Sequence, residues 1–274
     1  MLKKVGLLLL APFYFLFPIF HLSFAQTAWQ TDGVPICTFG ADQMYPVIVS
    51  DIKGGGIVIW QDWRSGNLDI YAQRVDSAGN RLWTNNGVPL AASATNENEP
   101  KAVSDMRGGA IAVFNKGSYN IWIQRVDSSG NPCWGVNGKA MCDNDSLQMS
   151  YKICSDSAGG AIIAWGNADT FETGLADWDA YAQRIDSAGN LLWGASGVVV
   201  AGGSGDQGPN GVVEDMCGGV TISFGVAGPF PDGYLYATRL DKDGNFLWAS
   251  PAPVCTIAGE KDVSIICTDG RGGE

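Results

Sequence analysis

The sequence predicts an all-β protein made of repeated four-stranded sheets. Composition is the first reason, because 37 glycines, 10 tryptophans and only 16% charged residues among 274 favour short strands and tight turns over helices. The second reason is an internal repeat of roughly 50 to 60 residues, a period typical of propellers and solenoids. The third is that each period divides into four short segments bounded by turn residues.

The repeat is clearest in a ten-residue segment, RVDSAGNRLW, that ends in tryptophan. Close copies begin at Arg74, Arg125, Arg184 and Arg239. The corresponding tryptophans are Trp83, Trp134, Trp193 and Trp248, with an earlier equivalent at Trp29. An aspartate followed three residues later by Gly-Gly recurs at Asp51, Asp105, Asp156, Asp215 and Asp269. Residues that recur once per unit are expected to form structural ion pairs or to stabilise turns, because an active site needs residues that differ from one unit to the next.

Within the first period, the expected strands cover 45–49, 56–61, 69–75 and 81–90. Residues 57–60 are apolar on both faces of a strand, which suits a sheet sandwiched between two other sheets, as in a propeller blade. The prediction is therefore a β-propeller repeat domain over 26–274. Its expected blades cover about 45–90, 99–141, 150–200 and 209–254, with a partial fifth at 261–274. An incomplete propeller leaves unpaired edges, so further blades are expected beyond Glu274.

The first 25 residues predict a secretory signal peptide. Lys3 and Lys4 precede an apolar run without acidic residues, and the sequence at 23–25 suits a signal peptidase. The alternative is an uncleaved membrane anchor, but Pro12 and Pro18 interrupt the run. A secreted or cell-surface protein is expected, with no membrane span after signal cleavage.

Composition also excludes several function classes. The net charge of −11 argues against nucleic acid as a partner. The only histidine, His21, lies in the expected signal peptide, which excludes the usual histidine-dependent nucleophiles and histidine metal sites. Residues 241–245 resemble a calcium loop, but the glycine is misplaced and a plain hairpin turn is favoured. No cofactor and no metal site are expected.

Seven cysteines leave disulfide pairing open. Cys142 and Cys154 are 12 residues apart, as are Cys255 and Cys267, and the two pairs occupy matching repeat positions. Export would permit their oxidation. Small buried thiols are expected instead, because Cys37 occupies the first of these positions with no cysteine at the second.

The order of PVIVSD, GGGIVIWQD, DIYAQRVD and GNRLW resembles blades of the kelch and pyrroloquinoline-quinone-type propellers. The longer segment IYAQRVDSAGNRLWTNNGVP is similar to repeats of large secreted bacterial proteins, many of which end in a type IX secretion sorting domain. These resemblances imply fold and export, and hardly any activity. The turn also resembles the sialidase Asp-box, but the spacings Asp76–Gly79 and Gly79–Trp83 are each one residue too long.

Candidate binding residues lie in loops whose length varies between units. Because strands alternate in direction, the loops from second to third strand and the blade-to-blade connections emerge together on one face, here named the variable-loop face. Trp63 and Trp178 are the two tryptophans that the repeat does not require. The candidate ligand-binding residues are Asp62, Trp63, Arg64, Glu172, Asp177, Trp178, Phe230 and Asp232. Aromatic rings beside carboxylates suit sugar stacking or peptide binding, although they could also only cover loop ends.

The leading expectation is a non-catalytic binding or adhesion module that takes a carbohydrate or an extracellular protein on this face. The alternative is a carbohydrate-active propeller enzyme, a glycosidase that uses Asp and Glu residues. Two suitably separated carboxylates are enough for glycoside hydrolysis without histidine. No catalytic residue is assigned, because nothing in the sequence selects the pair.

Overall fold

A computed structural model describes residues 32–142, 146–168, 177–227, 233–257 and 266. Sixteen strands form four antiparallel four-stranded sheets, each from one continuous stretch of chain, and no helix occurs among these residues. The predicted all-β propeller fold is confirmed. We name the sheets blades 1 to 4.

The strands follow one another within each blade in chain order. Blade 1 contains β1 (Gln43–Ser50), β2 (Gly56–Asp62), β3 (Asp69–Val75) and β4 (Val88–Ala91). Blade 2 contains β5 (Glu97–Ser104), β6 (Ala110–Lys116), β7 (Asn120–Val126) and β8 (Lys139–Ala140). Blade 3 contains β9 (Leu147–Ser155), β10 (Ala161–Ala168), β11 (Trp178–Ile185) and β12 (Val198–Ala201). Blade 4 contains β13 (Gln207–Glu214), β14 (Val220–Ala227), β15 (Gly233–Leu240) and β16 (Ala252–Cys255).

The fourth strand of blade 1 is shorter than the expected 81–90. Arg81 forms only an isolated bridge with Val75, and the strand proper begins at Val88. The side chain of Gln73 explains the difference. Its Oε1 accepts the Trp83 N–H at 3.0 Å, and its Nε2 donates to the Thr84 carbonyl at 2.9 Å. These bonds replace the strand ladder over this stretch.

Consecutive blades are joined by the repeated tryptophans. Trp83, Trp134 and Trp193 are 9%, 4% and 4% exposed, so their predicted burial in equivalent positions is confirmed. Each indole N–H donates to a carbonyl in the turn of the next blade, as Trp134 does to Ser187 at 3.4 Å. That turn contains a glycine on which the ring rests. A Cβ on Gly189 would lie 2.7 Å from Trp134 Cδ1.

The repeated aspartate and arginine hold each blade together and link it to its neighbour. In blade 2, Asp105 Oδ1 accepts the backbone N–H groups of Arg107 and Gly109 at 2.8 and 2.7 Å. Asp105 Oδ2 accepts Arg125 Nη2 at 2.8 Å, and Arg125 Nη1 donates to the Ser187 carbonyl of blade 3 at 3.3 Å. These contacts give the repeated charges a structural role.

The second glycine of each Asp-x-x-Gly-Gly turn has no room for a side chain, which gives a testable prediction. A Cβ on Gly160 would lie 2.1 Å from the Ile185 carbonyl oxygen. Because a backbone atom must move, Gly160→Ala is expected to lower the free energy of unfolding by about 3 kcal/mol, at the upper end of overpacking costs. Gly40→Ala, with nothing within 4 Å of its Cβ, is the control. Equal losses in urea denaturation would contradict the prediction.

The two cysteines of the first candidate disulfide lie in different blade interfaces. Cys142 belongs to the apolar cluster between blades 2 and 3, whereas Cys154 packs against the cluster between blades 3 and 4. Both are thiols in the structure, as expected. Burial raises the pKa of Cys154, which makes this thiol less nucleophilic. Cys267 lies outside the described residues.

Several sequence predictions fall outside the described ranges. These are the signal peptide, Trp29, Asp269 and, apart from residue 266, the partial fifth blade. Within those ranges, no helix has the length and apolar character needed to cross a membrane.

Candidate functional site

The variable-loop face carries both tryptophans that the repeat does not require. Trp63 follows β2 directly and is 45% exposed, and Trp178 begins β11 and is half-buried. Asp177 is exposed beside it. The repeated turn at 76–80 follows the other end of β3, so it lies on the opposite face, here named the turn face. The exposure of both rings is what a binding role requires, and the role itself stays a prediction.

A cavity of about 310 Å³ opens on this face between blades 3 and 4. We name it the Trp178 pocket. Its lining residues are Met149, Ser150, Gly166, Trp178, Asp206, Gln207 and Gly208. The pocket therefore combines one large aromatic ring with a carboxylate, a hydroxyl and an amide, groups that suit a polar ligand with an apolar face.

The pocket exists because blade 3 lacks a side chain where blades 1 and 2 have one. Gly166 stands opposite Ala180, in the register position that Gln61 occupies in blade 1 and Asn115 in blade 2. The Gln61 side chain crosses to the next blade, where its Oε1 accepts the Glu99 N–H at 2.7 Å. Gly166 leaves this space empty, and its missing Cβ would lie 3.4 Å from Trp178 Cε3.

Gln207 brings an unused hydrogen-bond acceptor to the pocket. Its side chain is buried, at 4% exposure, and its Oε1 has no partner among the described residues, while Nε2 donates to the Ser204 carbonyl at 3.4 Å. At the corresponding position of blade 3, Gln148 Oε1 accepts the Ile121 N–H at 2.8 Å. A buried amide oxygen that lacks a partner is uncommon, so a bound hydroxyl group would satisfy it.

Two aspartates are close to Trp178, one by hydrogen bonding and one as its neighbour in the chain. Asp206 Oδ1 accepts the Trp178 backbone N–H at 3.3 Å, which joins the blade 3–4 connection to the start of β11. Asp177 precedes the ring and is exposed. Asp206 lines the pocket, and Asp177 adjoins the lining residue Trp178 in the chain.

The inner strands share a strained bulge, and Ser150 of the pocket belongs to it. Ser150 has φ 57°, and Tyr45 and Glu99 adopt φ 50° and 55° at the matching positions of blades 1 and 2. The strand register shifts at each of these places. Because the strain recurs in three blades, it belongs to the fold and does not by itself mark the site.

The structure gives two of the predicted ligand residues, Asp62 and Arg64, another role. Asp62 is fully buried, which prevents contact with a ligand and corrects that expectation. Its carboxylate accepts Trp60 Nε1 at 2.8 Å and Arg64 Nη2 at 2.6 Å. The Arg64 guanidinium lies 3.8 Å from the Tyr71 ring centroid and 5.0 Å from that of Phe39. The pair anchors the loop that carries Trp63.

Asp62 faces Asp69 across β2 and β3, and the two pKa values move in opposite directions. For Asp62, burial works to raise the pKa, but hydrogen bonds from Arg64 and Trp60 outweigh it and hold the pKa below its usual value. Burial raises the pKa of Asp69 despite hydrogen bonds from Ser65 and Asn67. Opposed shifts are typical of acid–base pairs, but both side chains are inaccessible, at 0% and 1% exposure.

The remaining predicted site residues, Glu172, Phe230 and Asp232, lie outside the described residues. The described ranges also contain no group of three or more His, Cys, Asp or Glu residues arranged to hold a metal ion.

No protein-family model and no curated protein matches the chain. Among solved structures, it is similar to the family 43 glycoside hydrolase YxiA of Bacillus licheniformis, at 17% identity and a TM-score of 0.44, over 80% of this chain and 61% of that one. It is also similar to an exo-1,5-alpha-L-arabinanase from a bovine ruminal metagenomic library, at 13% identity and a TM-score of 0.43, over 78% of this chain and 79% of that one. The alpha-L-arabinanase of Cellvibrio cellulosa is similar at 13% identity and a TM-score of 0.39, over 77% of this chain and 76% of that one.

The leading expectation was a non-catalytic binding or adhesion module, whereas these similar propellers are glycoside hydrolases and arabinanases, and we do not retain that expectation. At such identities the likeness is one of fold, so the assignment of a site in this chain depends on the Trp178 pocket.

Proposed function

We propose that this protein is a carbohydrate-active propeller enzyme that binds a glycan in the Trp178 pocket and hydrolyses a glycosidic bond with carboxylates. The observation that carries the proposal is the pocket itself, in which a half-buried indole lies beside the unpartnered amide oxygen of Gln207. An aromatic ring covers the apolar face of a sugar, and a buried acceptor takes one of its hydroxyl groups.

The carboxylates available to a sugar in this position are Asp177 and Asp206, which flank Trp178. Hydrolysis requires one carboxyl group that protonates the leaving oxygen and a second that activates water or attacks the sugar. We assign these two roles to this pair as a unit. The reaction needs neither histidine nor a metal ion.

We also propose export from the cell, based on the first 25 residues, and a relationship to the secreted repeat proteins with type IX sorting domains, based on the repeat sequence. A soluble or wall-bound polysaccharide outside the cell is then the expected type of substrate.

Release of reducing ends from a panel of neutral and acidic polysaccharides tests the proposal, together with binding of short oligosaccharides by calorimetry. Trp178→Ala is expected to weaken binding at least about thirtyfold, as for a stacking hot spot. Asp206→Asn and Asp177→Asn should lower turnover by at least about a hundredfold, the usual contribution of acid–base catalysis. Trp63→Ala is the comparison, because Trp63 does not line the pocket.

Folding of each variant is checked by circular dichroism. Hydrolysis that persists at the wild-type rate in both aspartate variants would refute the catalytic assignment. Equal losses of short-oligosaccharide binding in Trp63→Ala and Trp178→Ala would refute the assignment of this pocket.

A further inference from the structure

A lysine that the proposed chemistry does not use lies on the same sheet face as Gly166 of the Trp178 pocket. Lys152 stands opposite Ala164 on β10, and Ala164 packs in the apolar cluster between blades 3 and 4. Directly opposed residues of antiparallel strands share a face, so Lys152 points towards blade 4. Gly166 lies two residues further along the same face of β10, a step of about 7 Å. The four-carbon lysine chain can cover that distance.

The Lys152 ammonium has no partner within the described chain. Its side chain is half-buried, and neither a hydrogen bond nor an ion pair involves it among these residues. Burial lowers the pKa of Lys152, and no carboxylate acts against this effect. A half-buried ammonium without a counter-charge among these residues can form a charge-assisted hydrogen bond with an anion bound beside it.

The corresponding lysine of blade 2 shows what Lys152 lacks. Lys101 donates to the Tyr151 carbonyl at 2.6 Å, and its ammonium lies 4.9 Å from the Tyr151 ring centroid. In blade 4 the residue before the matching position is Asn210, which offers no ring. The blade 2–3 interface thus satisfies its lysine internally, whereas the blade 3–4 interface combines an open pocket with a lysine that has no partner in the described part of the chain.

We propose that the glycan bound in the Trp178 pocket is acidic and that its negative group, a uronic acid carboxylate or a sulfate ester, pairs with Lys152. This inference rests on the proposed function, because it assigns the substrate class of the same pocket. In this arrangement Trp178 contacts the ring face, Gln207 accepts a hydroxyl group, and Lys152 distinguishes charged from neutral sugars. An ammonium binds either anion as a point charge.

The test compares ligands that differ only in charge. An oligogalacturonate and its fully methyl-esterified form share one sugar backbone, and a sulfated galactan with its desulfated form gives the second pair. We expect wild-type protein to bind the charged member of at least one pair about tenfold more tightly by calorimetry, the usual effect of a charge-assisted hydrogen bond. The pair with the larger ratio identifies the anion.

Three variants make the test specific. Lys152→Gln should reduce the charged-to-neutral ratio to about one and leave affinity for the neutral ligand unchanged, while Lys152→Arg, which keeps the charge, should retain the preference. Lys242→Gln removes an exposed lysine on the turn face and should change nothing. If Lys152→Gln does not fold, the salt dependence of wild-type binding is measured instead. Affinity for the charged ligand should fall as salt rises, because salt weakens an ion pair, whereas affinity for the neutral ligand should not.

Two outcomes overturn the inference, and they are distinguishable. Equal wild-type affinity for charged and neutral ligands, with both lost in Trp178→Ala, would refute the acidic substrate and leave the proposed function standing. Absence of binding to any charged or neutral glycan would refute both.

Discussion

Replacement of Trp134 by alanine is expected to lower the free energy of unfolding by about 3–5 kcal/mol, the usual cost of deleting a buried aromatic side chain. Trp134 is 4% exposed within the apolar cluster between blades 2 and 3. Its ring rests on Gly189, and its indole N–H donates to the Ser187 carbonyl. The substitution therefore leaves a cavity between two blades and removes one of the two hydrogen bonds that the Ser187 carbonyl accepts, the other coming from Arg125.

Trp248→Ala is the matched control, because Trp248 occupies the same repeat position in blade 4 but is 36% exposed. Trp248 buries less apolar surface than Trp134, so its replacement should lower the free energy of unfolding by less than about 2 kcal/mol. The measurement is urea denaturation followed by far-ultraviolet circular dichroism, which does not depend on tryptophan fluorescence. Equal losses in the two variants would show that contact with the following turn contributes little.

Asp62→Ala should have a comparable effect, also about 3–5 kcal/mol, because it leaves a charge without its buried partner. The Arg64 side chain is 14% exposed and the Asp62 side chain 0%, and the Trp60 indole N–H would lose its acceptor as well. The control is Asp243→Ala, since Asp243 pairs with Lys242 at 62% exposure on the turn face. That exposed pair should contribute less than about 1 kcal/mol.

The effect of Asp62 should also depend on pH in a defined direction. Its pKa in the folded protein lies below its usual value, so the ionised carboxylate contributes stability above the unfolded pKa of about 3.9. This contribution is lost as pH falls through the folded pKa. The difference in unfolding free energy between wild type and Asp62→Asn should therefore be constant near pH 7 and shrink below about pH 4. A difference that grows on acidification would contradict the sign of the shift.

The fold could be predicted because its determinants recur. Each copy of the ten-residue segment places an arginine, a turn aspartate, a glycine and a tryptophan at fixed spacing, and the first three copies make the same contacts with the next blade. The fourth strand of blade 1, expected over 81–90, is the exception. The Gln73 side chain takes backbone bonds that a strand over 81–90 would have used, and no pattern of apolar residues reveals this.

The candidate site was only partly predictable. Variable loops pointed to Trp63 and Trp178, and the structure brings Trp178 alone into a pocket. Asp62 is also a carboxylate at the end of a variable loop, and it was therefore predicted to bind a ligand. In the structure its carboxylate is buried and accepts hydrogen bonds from Arg64 and Trp60, contacts that the sequence does not reveal. Gly166 and Gln207 were missed. The available signal was a glycine at 166, where the repeat has a side chain in the first two blades.

The sequence by itself determined the repeat, the four-stranded blades and the structural role of the recurring Asp, Arg and Trp residues, because strand and turn patterns act over a few neighbouring residues and are then repeated. Which variable residues share a cavity depends on packing between blades about 40 to 60 residues apart in the chain. There the loss of one side chain at Gly166 opens a space beside the buried amide oxygen of Gln207, and no local pattern shows this.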